Sequence, residues 1–519
     1  MPTDASTRID FLDELSWRGL LKDCTDADGL RAHLRDPDKS PRKAYAGFDP
    51  TADSLTIGNL VPIMCLAHFK RAGHIPVVLQ GGGTGLIGDP SGKSAERQLN
   101  TRETVSANVA AQKSIFEAVL GRVDGPAHQH VNNDDWLSEL SYIDALRDIG
   151  KHFSVNMMMQ KESVRERLHN REQGISYTEF SYMILQAYDF AHLYESDGIT
   201  VQLGGSDQYG NIVAGTDLIR RIGQSRFEDL HGASIDWADN ENDPELEQFV
   251  REASKRYESA GGWLEYDFPR LKAVSDARPK KEWTPESSLP KVAYDLLAGL
   301  DISTVRGRWE SFGLTAPLVQ KADGGKFGKT ESGAVWLSAN RTSPYAYYQF
   351  WLNASDDDVS NFLRTFTFLP RDEVEAIEAE HAEAPGKRAA QRRLAQEATS
   401  ILHGEDAMRQ AEEAGKALFS GDIAGLDETT LNEVFASVPS FDRDKAELAG
   451  DGADPVELLK AVGAASSNRE AREFISNGSV SINGERLDEG QAITESHLLH
   501  GTIIAIRRGK KKWFLTRWK

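Results

Sequence analysis

Three short apolar segments in the first half of the chain, residues 44–48 (AYAGF), 75–80 (IPVVLQ) and 199–203 (ITVQL), are each followed by a glycine-bearing loop and a helical pattern. Strand, loop and amphipathic helix in that order predict an α/β fold, a parallel sheet covered by helices. The loops then fall at the carboxyl ends of the strands, where open sheets bind ligands, so the chemistry is expected there. A chain of 519 residues is too long for one ordinary core, and two or three domains are expected.

Residues 226–308 break the rhythm with DWADNENDPELEQF and a segment rich in Pro, Lys and Trp, and read as an insertion in a first domain spanning 1–345. Between positions 236 and 258 the insertion carries eight acidic residues against three basic ones. Adaptation to high salt and repulsion of the wrong RNA are two readings of that excess. Residues 346–436 turn helical and charged, as in RDEVEAIEAEH; residues 437–452, polar with Gly and Asp, read as a linker. Residues 453–519 form a small module with a basic helix around Arg469 and Arg472, a turn at Asn483-Gly484, and strands.

The formal charge of -20, from 60 basic and 80 acidic residues, argues against a nucleic-acid partner for the chain as a whole. Its distribution argues the other way. Arg507, Arg508, Lys510, Lys511, Lys512, Arg517 and Lys519 follow one another without an acidic residue, interleaved with Trp513, Phe514 and Trp518. Such a run suits a phosphate backbone and exposed bases, or is a solvated basic end. Cys24 and Cys65 are too few for a disulfide framework or a thiolate zinc site, which fits a reducing compartment. No apolar run reaches the roughly 18 residues of a spanning helix, and MPTDASTRIDFLDELSWRG has neither a basic start nor an apolar signal core. A cytoplasmic location without membrane insertion is expected.

Four constellations carry chemistry. In AYAGFDPTADSLTIGNL a strand ends at Phe48, and Ser54 or Thr56 caps a helix beginning near Ile57. The free N–H groups there, with Gly58 permitting close approach, make an anion site suited to phosphates, or simply a capped helix. In VVLQGGGTGLIGDPSGK the glycines let backbone approach a ligand and Asp89 offers a carboxylate, although such loops also occur as mere turns. In SYTEFSYMILQAYDF, Tyr182, Gln186 and Asp189 line one face of an otherwise apolar helix. Such a polar stripe either bonds within itself or awaits a polar ligand. In KADGGKFGKTESGAVWL, Lys326 and Lys329 lie on a glycine-softened loop, either a mobile cationic clamp for a developing phosphate charge or an idle surface loop.

Together and in this order, with KHFSVN, GGSDQYGN, SPYAYYQFW and FSGDIA, these motifs resemble the bacterial tyrosyl-tRNA synthetases of class I over nearly the whole chain apart from the insertion. The resemblance implies a Rossmann-like catalytic domain, then a helical domain, then a small α+β S4-like RNA-binding domain carried by SSNREAREFISNGSVSINGERL. It implies that the enzyme activates L-tyrosine with ATP, magnesium accompanying the nucleotide without a dedicated protein cage, and charges tRNA-Tyr as a homodimer. Tyr45 and Asp189 would bond the phenolic hydroxyl, Tyr182, Gln186 and Asp89 the ammonium group, and Gln208 the reacting carboxylate. Asp49, Thr51, Gly58, Gly205, Asp207, Lys329 and Thr330 would surround ATP. The signature usually His-Ile-Gly-His reads Thr56-Ile57-Gly58-Asn59, so Thr56 and Asn59 join Lys326 and Lys329 as catalytic residues, the first two as neutral donors. Arg469, Arg472, Arg507, Arg508, Lys510, Lys511 and Lys512 would face RNA. Two other functions compete. A tryptophan enzyme is disfavoured because an indole has no hydroxyl for Tyr45 and Asp189, and a non-catalytic RNA-binding scaffold because the lysine loop is intact.

Overall fold

The computed structural model describes residues 9–89, 100–161, 164–165, 175–241, 310–325, 327–330, 333–421, 423–435, 438–509 and 512–519. Two compact units divide the chain, Met1–Phe327 and Gly328–Lys519.

The first unit is built on six strands, β1 (Asp23–Cys24), β2 (Lys43–Phe48), β3 (Ile75–Gln80), β4 (Gln129–Asn132), β5 (Val201–Gly205) and β6 (Phe312–Ala316). They lie in the order β1-β6-β5-β2-β3-β4. Only β1 is antiparallel to its neighbour; the rest are parallel. β3 and β6 are buried almost throughout, as apolar runs covered on both sheet faces must be. The chain winds from β2 outward through β3 to β4, then returns to the other side of β2 with β5 and β6. The order therefore reverses between β2 and β5, which opens a crevice at their carboxyl ends.

The Tyr177–Asp197 helix starts where Ser176 accepts from the Glu179 N–H and stops at Gly198, whose φ of 66° lies in the left-handed region. Its Phe190 and Leu193 pack with Tyr45, Val77, Leu218 and Ile219 in one apolar cluster. The Tyr209–Glu241 helix continues through the first residues of the expected insertion, so the break expected at 226 is not a break in the backbone. Residues 242–309 of that insertion lie outside the described residues.

The second unit begins with a hairpin, β7 (Lys329–Thr330) and β8 (Gly333–Ala334). Six helices follow, from Pro344–Leu352 to Glu428–Val434, with Trp351 fully buried against Phe362 and Phe366. The unit ends in a sheet of β9 (Ser440–Arg443), β10 (Val480–Ile482), β11 (Glu485–Arg486), β12 (Ile503–Arg508) and β13 (Lys512–Trp518), ordered β11-β10-β12-β13-β9. Alternation along β12 sends Ile504 and Ile506 to a core with Leu458, Ile475 and Trp518, and Ile503 and Ala505 to another with Ala414, Leu431 and Phe435. The turn at Asn483-Gly484 joins β10 to β11 with φ of 51° and 97°, as a tight hairpin of this composition requires.

Two expectations are corrected here. The stretch expected as a linker contains β9, which pairs with β13, and Leu448, which is buried in the core. The basic run is not a free end with aromatics open to bases. β13 is an interior strand, Trp518 is buried, Phe514 packs on the same core, and Trp513 packs edge-on against Phe435. No helix among the described residues is long and apolar enough to cross a membrane.

Candidate active site

The crevice between β2 and β5 gathers most of the residues singled out above. Tyr45, mid-strand on β2 opposite Val77 and Gln202, is fully buried, and its hydroxyl has no hydrogen-bond partner among the described residues. Asp189 is buried nearby. Its Oδ2 accepts from Asn133 Nδ2 at 2.9 Å and its Oδ1 from Trp136 Nε1 at 2.8 Å. Burial outweighs these two bonds and pushes the carboxyl up to about 7, while the Asp189 charge in turn adds to the burial that raises the Tyr45 phenol. One turn earlier on the same helix, the buried Oε1 of Gln186 is also unpartnered among the described residues. Each such orphan costs about 1–3 kcal/mol unless a ligand satisfies it.

Tyr182 donates to Asp49 Oδ2 at 3.1 Å, and Thr84 donates to Asp49 Oδ1 at 3.0 Å. Burial, then Asp49 and Asp89, holds the Tyr182 phenol far above its usual range, so it remains a donor. Asn133 Nδ2 also bonds Thr84 Oγ1 at 3.0 Å. Asp189, Asn133, Thr84, Asp49 and Tyr182 thus form one ladder across the loops after β2, β3 and β4. The glycine run after β3 is what lets it close. A Cβ on Gly81 would sit 2.5 Å from Asp49 Oδ1, and one on Gly82 would sit 2.2 Å from Asn132 Oδ1.

Beyond this ladder, Gln208 Nε2 donates to Asp89 Oδ2 at 2.6 Å and to Asp207 Oδ2 at 3.1 Å, and its Oε1 accepts from Asn211 at 3.0 Å. Asn211 also accepts from the Lys161 ammonium. Burial lowers that ammonium against the opposing pull of Asp89 and Asp207. Gly205 ends β5, two residues before the exposed Asp207.

At the other side of β2, Thr56 caps the short turn Ile57–Asn59 that leads into the Leu60–Arg71 helix. Its N–H and its hydroxyl both donate to Asn59 Oδ1, at 3.1 and 3.0 Å. Above Gly58 a Cβ would meet nothing nearer than Thr56 Oγ1 at 3.8 Å, so that exposed position is open. Thr56 therefore acts on this turn chiefly through Asn59. Thr56→Ala is expected to lower the rate of ATP–pyrophosphate exchange by about tenfold, the worth of one such hydrogen bond, and Asn59→Ala by more. An unchanged rate in both would remove the turn from the site.

The structure adds residues that the sequence reading missed: Asn133 and Trp136, which hold Asp189, and Thr84, Asn211 and Lys161. The consecutive Asn132 and Asn133 where the short polar strand β4 ends are the one local signal. Asp49, expected at ATP, has both carboxylate oxygens engaged by protein donors, and Thr51 is exposed with its N–H on the Asp49 carbonyl at 2.9 Å. Lys329 and Thr330 form β7, of which the backbone is described; Lys326, Lys510 and Lys511 lie outside the described residues. Arg469, Arg472 and Lys512 are exposed. Arg507 lies over the Trp513 ring at 5.6 Å, and Arg508 bonds the Ala464 carbonyl at 2.5 Å.

Residues 37–237 and 295–420 match the model of the tRNA synthetases class I (W and Y), and residues 430–516 that of the tyrosine–tRNA ligase SYY-like C-terminal domain. The gap between 237 and 295 falls inside the acidic insertion. Tyrosine–tRNA ligase of Bacillus caldotenax is 45% identical over 512 residues, covering 98% of this chain and 100% of the relative. Tyrosine–tRNA ligase 2 of Enterococcus faecalis is 42% identical over 514 residues, covering 98% and 99%. A C-terminally truncated mitochondrial tyrosyl-tRNA synthetase of Aspergillus nidulans superposes with a TM-score of 0.57 at 26% identity, covering 79% of this chain and 95% of that one.

Proposed function

The chain belongs to the class I tRNA synthetases of the tryptophan and tyrosine family, and we propose that the crevice between β2 and β5 is where it selects tyrosine and joins it to AMP. It is on the tyrosine side of that family, activating tyrosine and charging tRNA. The observation that carries the site assignment is the pair of buried, unpartnered groups on facing elements, the Tyr45 hydroxyl and the Gln186 carbonyl, beside the Asp189 carboxylate.

A substrate phenol accepts from the Tyr45 hydroxyl and donates to Asp189, whereas phenylalanine leaves the Tyr45 hydroxyl unpaired. Tyr182, Gln186 and Asp89 take the ammonium group, and Gln208 the carboxylate end. A carboxylate oxygen of tyrosine then attacks the α-phosphorus of ATP in line. The new O–P bond forms as the bridge to the β-phosphate breaks, and pyrophosphate leaves with that electron pair. Magnesium arrives with ATP as part of the substrate. Gly58, Asn59 positioned by Thr56, Gly205, Asp207, Thr330 and the lysines Lys326 and Lys329 attend the nucleotide, supplying position and charge. In the second step a ribose hydroxyl at the tRNA 3′ end attacks the acyl carbon and releases AMP. Exchange of pyrophosphate into ATP with tyrosine, and with neither phenylalanine nor tryptophan, is the expected result; exchange with tryptophan would overturn the reading.

The helices at 346–436 serve as the anticodon-side domain and 453–519 as an S4-like RNA-binding domain, a division supported by the resemblance in SSNREAREFISNGSVSINGERL. Arg469 and Arg472 on the exposed face of the Asn468–Ser476 helix, with Arg507, Arg508 and Lys510 to Lys512, supply its charge. Arg469→Ala with Arg472→Ala is expected to weaken tRNA binding and flatten its salt dependence by about two ions, leaving pyrophosphate exchange untouched. Filter binding against salt concentration reads the slope. The working unit is a homodimer in the cytoplasm. The exposed apolar side chains Tyr142, Ile143, Leu146, Val155, Met157, Met159 and Tyr177, gathered in the first unit, support the dimer.

A further inference from the structure

Away from the tyrosine crevice, the edge strand β4 and the Arg102–Leu120 helix bring three metal-ligating side chains together. Glu117 lies in the last turn of the helix, His130 is the second residue of β4, and His128 stands one residue before the strand. His128 Nε2 is 3.2 Å from Glu117 Oε2, and His130 Nε2 is 3.4 Å from Oε1 without making a hydrogen bond. One donor atom from each of the three lies within 4.8 Å of the other two. Zinc holds nitrogen and oxygen ligands at about 2.0–2.2 Å in a tetrahedron, which sets neighbouring donors about 3.3 Å apart. The two imidazole nitrogens stand at about that distance from the Glu117 carboxylate, each from a different oxygen.

The Nδ1 of the His130 ring is buried without a hydrogen bond among the described residues, and the buried Nε2 has only the long approach to Glu117, an arrangement that costs an imidazole serving only packing. Its ring sits edge-on to Phe116 at 5.9 Å and to His128 at 5.1 Å, so the two imidazoles are held in place.

We propose that Glu117, His128 and His130 bind one divalent transition-metal ion, zinc being the best match to two imidazoles and a carboxylate, with a fourth position open to water. Imidazole donors argue against magnesium or calcium. The ion would tie the end of the helix to the strand that runs on to Asn132 and Asn133.

The test uses the full chain, stripped with a chelator and dialysed against zinc or, for its visible spectrum, cobalt. Wild type is expected to bind one ion per chain, to show the absorption of four-coordinate cobalt, and to melt at a higher temperature with metal than without. His128→Gln with His130→Gln should lose the stoichiometric ion, the cobalt bands and the metal-dependent shift, while pyrophosphate exchange is retained. Glu117→Gln changes only an exposed side chain on a well-formed helix, so folding is preserved. It should weaken binding by more than about tenfold, as even an outer partner of a metal ligand does. Absence of stoichiometric binding to wild type would overturn the site. So would equal binding by wild type and all variants, which would assign the ion to others of the 13 histidines.

Discussion

Asp189→Asn is expected to lower kcat/KM for tyrosine in pyrophosphate exchange by on the order of 10² to 10³, a loss of about 3–4 kcal/mol. The carboxylate accepts from Asn133 on one oxygen and Trp136 on the other. A carboxamide keeps one acceptor and turns an NH₂ toward the second donor, so the substitution strands a buried polar group and removes the charge that receives the substrate phenol. Tyr45→Phe leaves the ladder whole, costs tyrosine about tenfold, and narrows the preference over phenylalanine. Acidity supplies an independent signature. With its carboxyl raised from 3.8 to about 7 by burial, Asp189 favours the protonated form in the empty pocket. Its contribution to folding stability is therefore greatest below 3.8 and is lost as pH rises toward about 7. Tyrosine binding, which needs the charged form, strengthens over that same rise. KM for tyrosine should fall between about pH 6 and 8 in wild type and stay flat in Asp189→Asn; a flat wild-type profile would exclude this carboxylate as the phenol's partner.

Lys329→Ala should lower kcat for adenylate formation by about 10² to 10³ with little change in KM for tyrosine, and Lys326→Ala should behave alike. In the proposed site the head of the Leu60–Arg71 helix carries no cation, Thr56 being spent on Asn59, so cationic stabilisation of the departing pyrophosphate would fall to the lysine loop. An effect confined to KM for ATP would make these lysines ground-state contacts. Single-turnover measurement of pyrophosphate release separates the two.

The parts of the fold legible in the sequence are those governed by local rules. β2, β3 and β5 lie within two residues of their expected positions because apolar runs bounded by glycine loops leave few alternatives. The helix carrying Tyr182, Gln186 and Asp189 is bounded by a serine cap and a glycine, both readable in advance. Partners distant along the chain were not legible. Asn133 and Trp136 lie 56 and 53 residues from Asp189, and no periodicity links them. The aromatics of the basic run misled for a related reason. Their spacing suits stacking on bases, but pairing with β12 and β9 makes Lys512–Trp518 an interior strand, and packing then takes Trp513, Phe514 and Trp518. Pairing across such spans is set by the whole sheet, as is the position of Ser440–Arg443, which composition alone reads as loose chain.

The ladder from Asp189 through Asn133, Thr84 and Asp49 to Tyr182 binds the two ends of the amino-acid pocket into one unit. Anyone redesigning this enzyme for an unnatural amino acid inherits that linkage. A change at Asp189 propagates through the ladder to Tyr182, the proposed ammonium contact, so residues varied singly are expected mostly to score as losses. Libraries that randomise these positions together search the combinations in which a new ladder closes, and a natural lineage changing specificity at this pocket would have to cross the same correlated valley.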